Sequence, residues 1–313
     1  MALIAMPPSR QEWLALRSAY VGASEVAALF GCEPDYALSH YALWHVKAGN
    51  APAPDVGGPR VEWGLRLEAV IAEGAALENG WAISKGRYAT DDECRLGASL
   101  DFEIASDPDE EGPGVLETKA VDFLIHRRNW TDGEPPLHIL LQLQAQLGAS
   151  GFKWGAVAAL VGGNDLRTYR YKARPDLIRQ IKQRVAGFWL SIARNSPPPV
   201  DGSDGAAHVI RALYPEPVDE AVDMSARNEW PEAVWAFLAA QTAKKEAEEN
   251  YALARNRVMA LMGDAKRGYG GGYSVTMSVT PEKAPRAPRP GEMIPGRAET
   301  RRLIAKETVE PVA

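Results

Sequence analysis

Asp101, Glu117 and Lys119 are the residues of this chain whose types and spacing could do chemistry. Glu117 and Lys119 stand two apart in Gly114-Val-Leu-Glu-Thr-Lys. That run alternates like a strand, so the two side chains point to one face. A carboxylate and an ammonium suit a core face poorly, because burying each costs roughly several kcal/mol unless they are paired. They suit a metal site well. The carboxylate can bind Mg²⁺, and the lysine beside it can hold and activate a water. Asp101 falls in another alternating run, Ala98-Ser-Leu-Asp-Phe-Glu-Ile, the preceding strand of a hairpin and within reach of the same ion. The other reading of Glu-x-Lys is an exposed cross-strand salt bridge, since the tripeptide is short and common.

Several helices must frame these strands. Residues 10–31 read as helical, with a second short helix starting at Gly22-Ala23-Ser24-Glu25. Residues 38–48 form another helical segment. Arg60 to Asn79 carries Leu65, Leu67, Val70, Ile71 and Ala75 at helical spacing. Glu68 lies on it, after Trp63-Gly64. Strands follow at 81–84, 98–104 and 114–119. The acidic, Pro- and Gly-rich stretch Ser106 to Pro113 is a hairpin loop. Residues 136–149 are helical, with Gln142 and Gln146 on one face. Strands at 154–160 and 166–172 precede an amphipathic helix at 177–192. This order predicts an α/β domain, residues 1–196, with a mixed central sheet flanked by helices.

A boundary follows at Asn195-Ser-Pro-Pro-Pro, and residues 197–228 read as a Pro-rich linker. Residues 229–280 read as a helical C-terminal extension: one long helix, Glu229 to Met262, then a Gly-rich hairpin. The Pro- and Arg-rich residues 281–313 are expected to be disordered. No stretch approaches eighteen apolar residues, so no membrane span is expected. The N-terminus has no basic n-region, and a cytoplasmic location is expected. Two cysteines, Cys32 and Cys94, make neither a disulfide framework nor a four-Cys zinc site. The five histidines, His40, His45, His126, His138 and His208, form no zinc-spaced pair. The net charge of −6 argues against a nucleic-acid partner, yet eight basic residues and one acid lie between Arg167 and Arg194. That run is either a phosphate-contacting surface or the solvated face of a helix.

Taken in order, the pieces resemble the YqaJ-type viral recombinase family, relatives of lambda exonuclease within the nucleases of the restriction-endonuclease-like fold. The segments that carry the resemblance are W-x-x-x-R at Trp13 to Arg17, G-A-S-E at Gly22 to Glu25 and W-G-x-x-x-E at Trp63 to Glu68. S-x-D at Ser99 to Asp101, L-E-x-K at Leu116 to Lys119 and Q-x-Q-x-Q at Gln142 to Gln146 complete the set. The resemblance covers roughly residues 9–200.

It implies that Asp101 and Glu117 bind the metal, with the carbonyl of residue 118 available, and that Glu68 binds or supports a second ion. It implies that Lys119 positions the attacking water and Gln142 orients Lys119 or that water. Arg17 and Ser24 match the positions that hold a DNA 5′-phosphate. An additional acid before Asp101 has no clear counterpart; Asp91 and Asp92 are the candidates. Hydrolysis of a phosphodiester builds charge on oxygens that are already anionic. Two Mg²⁺ ions roughly 3.5–4 Å apart, with Mn²⁺ able to substitute, would offset it. The expected activity is a 5′-to-3′ exonuclease on linear double-stranded DNA, leaving 3′ single strands for an annealing partner protein in phage-type recombination. A homo-oligomer is implied, a ring of three by likeness to lambda exonuclease. An endonuclease or nickase of the same fold, and an inactive DNA-binding or assembly protein, are the alternatives.

Overall fold

The computed structural model describes residues 1–54, 57–130, 133–215, 220–281, 286–289, 292–294 and 300–307. The chain divides into two compact units, Met1–Val218 and Asp219–Ala313. The first begins with β1 (Ala2–Ile4), α1 (Arg10–Ser18), β2 (Val21–Gly22) and a 3-10 helix (Ala23–Phe30). Helices α2 (His40–Lys47) and α3 (Pro59–Asn79) follow. Then come β3 (Ala82–Lys85), β4 (Tyr88–Asp91), β5 (Leu96–Ser99), β6 (Phe102–Ser106) and β7 (Gly114–Val121). Helices α4 (Phe123–Asn129) and α5 (Leu137–Ser150) lead to β8 (Trp154–Val161), β9 (Asp165–Lys172), α6 (Pro175–Ala193) and α7 (Asp204–Leu213).

The central sheet has the order β3-β6-β7-β8-β9. Only β7 and β8 run parallel in it, joined through α4 and α5; the other neighbours are antiparallel. This is the mixed sheet flanked by helices that the order of elements predicts. One face packs on α3 through Ile71, Ala72, Ala75 and Ala76, which meet Leu116, Trp154, Ala156 and Ala158. Three alanines in that stripe let the helix lie close to the strands. Leu65 and Val70, expected in the apolar stripe, are exposed. The other face carries Val115, Val157, Ala159 and Val161 into a larger core with α5, α6 and the 3-10 helix. Helix α5 is buried on several sides, Gln144 and Gln146 included.

The run 98–104, expected as one strand, is two. β5 belongs to a second sheet, β1-β4-β5-β2, while β6 belongs to the central one. The ribbon formed by residues 82–91 and 96–106 bends from one sheet to the other at Gly86 and Leu100-Asp101. Main-chain bonds hold the corner: Gly86 N–H donates to the Asp101 carbonyl at 3.1 Å and Leu100 N–H to the Arg87 carbonyl at 3.0 Å. A Cβ on Gly86 would stand 2.1 Å from the Leu100 carbonyl oxygen, so the strands cross closely only because residue 86 has no side chain.

Residues 197–228, read as a linker, contain α7. Its Ala206 and Val209 are buried against Tyr41, Ala42 and Ala51. Ser203 caps it, accepting from Ala206 N–H at 3.0 Å. The three prolines end α6, but the chain after them still has an apolar face to bury.

The second unit holds α8 (Trp230–Met262), β10 (Arg267–Gly270) and β11 (Tyr273–Thr280). The tail expected to be disordered contains β12 (Arg286–Arg289), β13 (Glu292–Ile294) and β14 (Thr300–Glu307). β14 pairs with β11 over its whole length, from Tyr273↔Glu307 to Thr280↔Thr300. The hairpin's open edge supplies a ladder that tail composition cannot reveal. The remaining tail residues lie outside the described ones.

Candidate active site

The site forms where β6 leaves β7. Their last paired residues are Phe102 and Leu116, so the next part of β7 has no strand on that side. The Thr118 N–H is left to find another acceptor, and it finds the Asp101 carboxylate. Asp101 Oδ2 accepts from Thr118 N at 2.9 Å and from Thr118 Oγ1 at 3.0 Å. The corner at Gly86 thus brings Asp101 beside the strand that carries Glu117 and Lys119.

Strand alternation turns Glu117 and Lys119 toward α5. Glu117 is 2% exposed, and both of its oxygens are engaged. Oε1 accepts from Lys119 Nζ at 2.5 Å and from Gln142 Nε2 at 2.7 Å. Oε2 accepts from Gln146 Nε2 at 2.6 Å. Lys119 Nζ also donates to Gln142 Oε1 at 3.3 Å. The spacing of Gln142 and Gln146 sets two amides along one carboxylate. Gln146 belongs to the Q-x-Q-x-Q segment, and its i, i+4 relation to Gln142 is the sequence signal for this role. Thr118, the anchor of Asp101, was marked only through its carbonyl.

Burial raises the Asp101 carboxyl to about 7, with the neighbouring charge of Glu117 pushing the same way. Burial works to lower the Lys119 pKa, but the negative charges of Glu117 and Asp101 outweigh it and hold the ammonium above its ordinary value. His138, one turn before Gln142 on α5, is lowered by burial and then by the charge of Lys119. The centre therefore has two close carboxylates in a poorly hydrated place and one cation, paired with Glu117. Its donors are carboxylate and carbonyl oxygens, which fit a hard divalent cation such as Mg²⁺ or Mn²⁺. Asp101 Oδ2 and both Glu117 oxygens are already hydrogen-bonded, so the cation would share them with the present donors.

Glu68 is placed differently. It lies on α3, across the central sheet from the α5 face, and pairs with Lys85 of β3 at 3.2 Å. Among the described residues no three His, Cys, Asp or Glu side chains gather as a metal-binding group. Glu68 still contributes to the negative field at Asp101. The two candidates for an additional acid are engaged elsewhere. Asp91 forms an ion pair with Lys182 at 2.6 Å, and Asp92 accepts from Tyr20 Oη at 2.7 Å.

The N-terminal residues form a charged cluster of their own. Arg17 donates to Glu25 Oε1 at 2.8 Å and lies over the Trp13 ring. Lys47 Nζ, nearly buried, meets Glu25 Oε2 at 2.8 Å and also donates to the carbonyls of Arg17 and Tyr20. Burial would raise the Glu25 pKa, but the charges of Lys47 and Arg17 hold it below its usual range. Lys47 escaped the sequence reading, since nothing in its neighbourhood marks it. Ser24 is exposed near the start of the 3-10 helix. Trp13 Nε1 donates to Ser99 Oγ at 2.9 Å, and Gln146 Nε2 reaches the Ser99 carbonyl at 3.4 Å. Ser99 thus joins α1, with its Arg17, to the segment ending in Asp101.

The basic run from Arg167 to Arg194 is largely spent on local acids. Arg167 pairs with Asp165, Arg170 with Asp107 and Asp109, Lys172 with Glu110, Arg179 with Asp176 and Lys182 with Asp91. Arg184 donates to the Leu29 carbonyl and covers Phe30.

An alkaline exonuclease from Laribacter hongkongensis superposes with a TM-score of 0.49 at 19% identity, over 59% of this chain and 94% of its own. The same exonuclease in complex with dAMP gives a TM-score of 0.50 at 20% identity, again over 59% and 94%. A phage-related exonuclease from Haemophilus somnus 129PT gives 0.37 at 13% identity, over 61% and 89%. At 20% identity the likeness to the dAMP complex is one of fold. No curated protein matches the chain by sequence. The sequence model of one family does match, from Trp13's neighbour at position 12, through every segment up to Gln146, to residue 153. That model describes the YqaJ-like viral recombinase domain, and residues 12–153 of the chain are similar to it.

Proposed function

We propose that this protein is a magnesium-dependent exonuclease that digests linear double-stranded DNA from its 5′ end and leaves 3′ single strands for recombination. The observation that carries the reading is the Glu117–Lys119 pair, fixed by two glutamines, with Asp101 anchored on the adjacent open edge of β7. Asp101 and Glu117, with the Thr118 carbonyl, would hold the ion. When bound, Mg²⁺ supplies Lewis acidity to the phosphoryl oxygens and lowers the pKa of a water. Lys119 holds the attacking water and offsets the charge that develops as the bond breaks. Gln142 fixes the Lys119 ammonium, and Glu68 supports a second ion from across the sheet. Arg17 and Ser24 receive the terminal 5′-phosphate, with Arg17 exchanging part of its bond to Glu25 for the phosphate fork. A single-strand annealing protein takes the product, and a ring of three copies retains the duplex.

The test is digestion of three substrates with Mg²⁺: linear duplex with 5′-phosphate, linear duplex with 5′-hydroxyl, and a closed circle. The phosphorylated linear form should disappear fastest and the circle should persist. Cutting of the circle would support an endonuclease or nickase instead. Lys119→Ala should lose about 100-fold or more in rate while keeping the fold. Near-normal magnesium-dependent digestion by that variant would remove the mechanism, and no digestion by the wild type would favour a binding or assembly role.

A further inference from the structure

Helix α8 has a pattern that its own unit does not satisfy. It runs 33 residues, about 50 Å at the usual rise, and none of them is buried. A helix of that length with no packed face is poorly held by propensity alone. Trp235 and Phe237 are 71% and 66% exposed. The C-terminal end is better covered, with Val258 and Met262 half-buried; Met262 Cγ lies 3.6 Å from where a Cβ on Gly268 of β10 would stand.

Read at alternating steps of four and three from Trp230, one side of the helix is a heptad seam. It starts apolar, with Trp230, Val234 and Phe237. It ends apolar, with Val258 and Met262. Its middle is polar, with Lys244 and Glu248. A parallel pair of such helices would set lysine on lysine and glutamate on glutamate. An antiparallel pair with its dyad level with Glu246 does the opposite. Lys244 then faces Glu248, Val234 faces Val258, and Trp230 faces Met262. Phe237 meets the Arg255 guanidinium, a cation–π pairing. The same register places the β10–β11 hairpin end of one copy alongside the uncovered apolar half of the other. Within one helix, Lys244 and Glu248 are 3.9 Å apart and exposed, an interaction weak enough to be exchanged.

We infer that α8 is a self-association element that pairs antiparallel with α8 of a second copy of this chain, in the register that sets Lys244 against Glu248. The occupant is fixed by charge: the seam complements itself in one direction only. The inference is independent of the nuclease reading.

The test uses the full chain with Cys32→Ser and Cys94→Ala as background. Lys244→Cys and Glu248→Cys proteins are made separately and co-expressed, then mildly oxidised. A disulfide-linked dimer containing one of each is expected from co-expression, with little from either alone. Linking of Lys244→Cys to itself would indicate a parallel pair and overturn the register. No link in any sample would assign the face to another occupant and overturn the inference. A second measurement keeps the native cysteines. Lys244→Glu should weaken self-association by about tenfold in sedimentation, and adding Glu248→Lys should restore it. Failure of the double change to restore it, with helicity unchanged by circular dichroism, would also overturn the inference.

Discussion

At the residue scale, Glu117 decides the chemistry because three donors fix it before any substrate arrives. Gln146 is fully buried and donates to the Glu117 oxygen that Lys119 and Gln142 do not reach. Gln146→Leu would leave that buried oxygen without its hydrogen-bond partner. Such partners of metal-binding groups typically contribute 10–100-fold, so a loss of about that size in rate is expected, with weaker metal affinity and a small loss of stability. A magnesium titration of activity checks it. Asp101 makes the centre pH-sensitive. Burial and the Glu117 charge raise it to about 7, above its unfolded value of 3.8. Between those values the folded protein binds the extra proton. The metal-free protein should therefore lose this contribution to stability as pH rises through about 7. Thermal melts with a chelator at pH 6 and pH 8 should show it, Mg²⁺ should offset the loss at pH 8, and Asp101→Asn should abolish the dependence.

At the scale of elements, two joints set the site and its domain. The first is the corner at Gly86, where the ribbon changes sheets and leaves Thr118 to bind Asp101. The second is α7, which buries Ala206 and Val209 on α2. A domain cut at Pro198 would uncover that patch, whereas one cut after Pro215 would keep it. The expected result is that residues 1–215 give a soluble, cooperatively melting protein, and residues 1–197 melt lower or aggregate. Val209→Ala in the full chain should cost about 2 kcal/mol, read by denaturant unfolding. Equal melting of the two truncations would show that α7 adds nothing to the first unit. The sequence marks α7 weakly: Ser203 and Asp204 are a helix start, but the prolines before them read as a linker.

At the scale of the whole molecule, the proposed function must account for how a chain of net charge −6 would hold DNA. The cations of the run 167–194 mostly have acidic partners, and exposed pairs of this kind leave little net field. Arg17 is also paired, but its partner Glu25 is shared with Lys47, so the cluster of three carries a surplus positive charge. The two positions should differ in effect. Arg17→Ala should remove the preference for a 5′-phosphorylated end, while Arg179→Ala should leave rates within about twofold. Competition between phosphorylated and hydroxyl ends at two salt concentrations would measure it. A large loss from Arg179→Ala with Arg17→Ala silent would move the DNA path to the α6 face.

The sequence by itself determined the elements that carry the site and their chemistry-bearing faces. Period-two alternation put Glu117 and Lys119 on one side of a strand, and a four-residue spacing put Gln142 and Gln146 on one side of a helix. Helical and strand periods also determined the order that yields a mixed sheet between helices. These are local properties, fixed by backbone geometry over a few residues. Tertiary structure decided what no window of sequence contains: that the run 98–104 breaks at Leu100-Asp101, that Glu68 turns to Lys85 across the sheet, and that the basic run is matched by acids far away in the chain, Arg170 by Asp107 and Lys182 by Asp91. It likewise decided that Lys47 joins Glu25 and that tail residues find the open edge of β11. Each depends on long-range pairing of buried charges or unpaired backbone, where the partner is chosen by packing and not by neighbourhood in the chain.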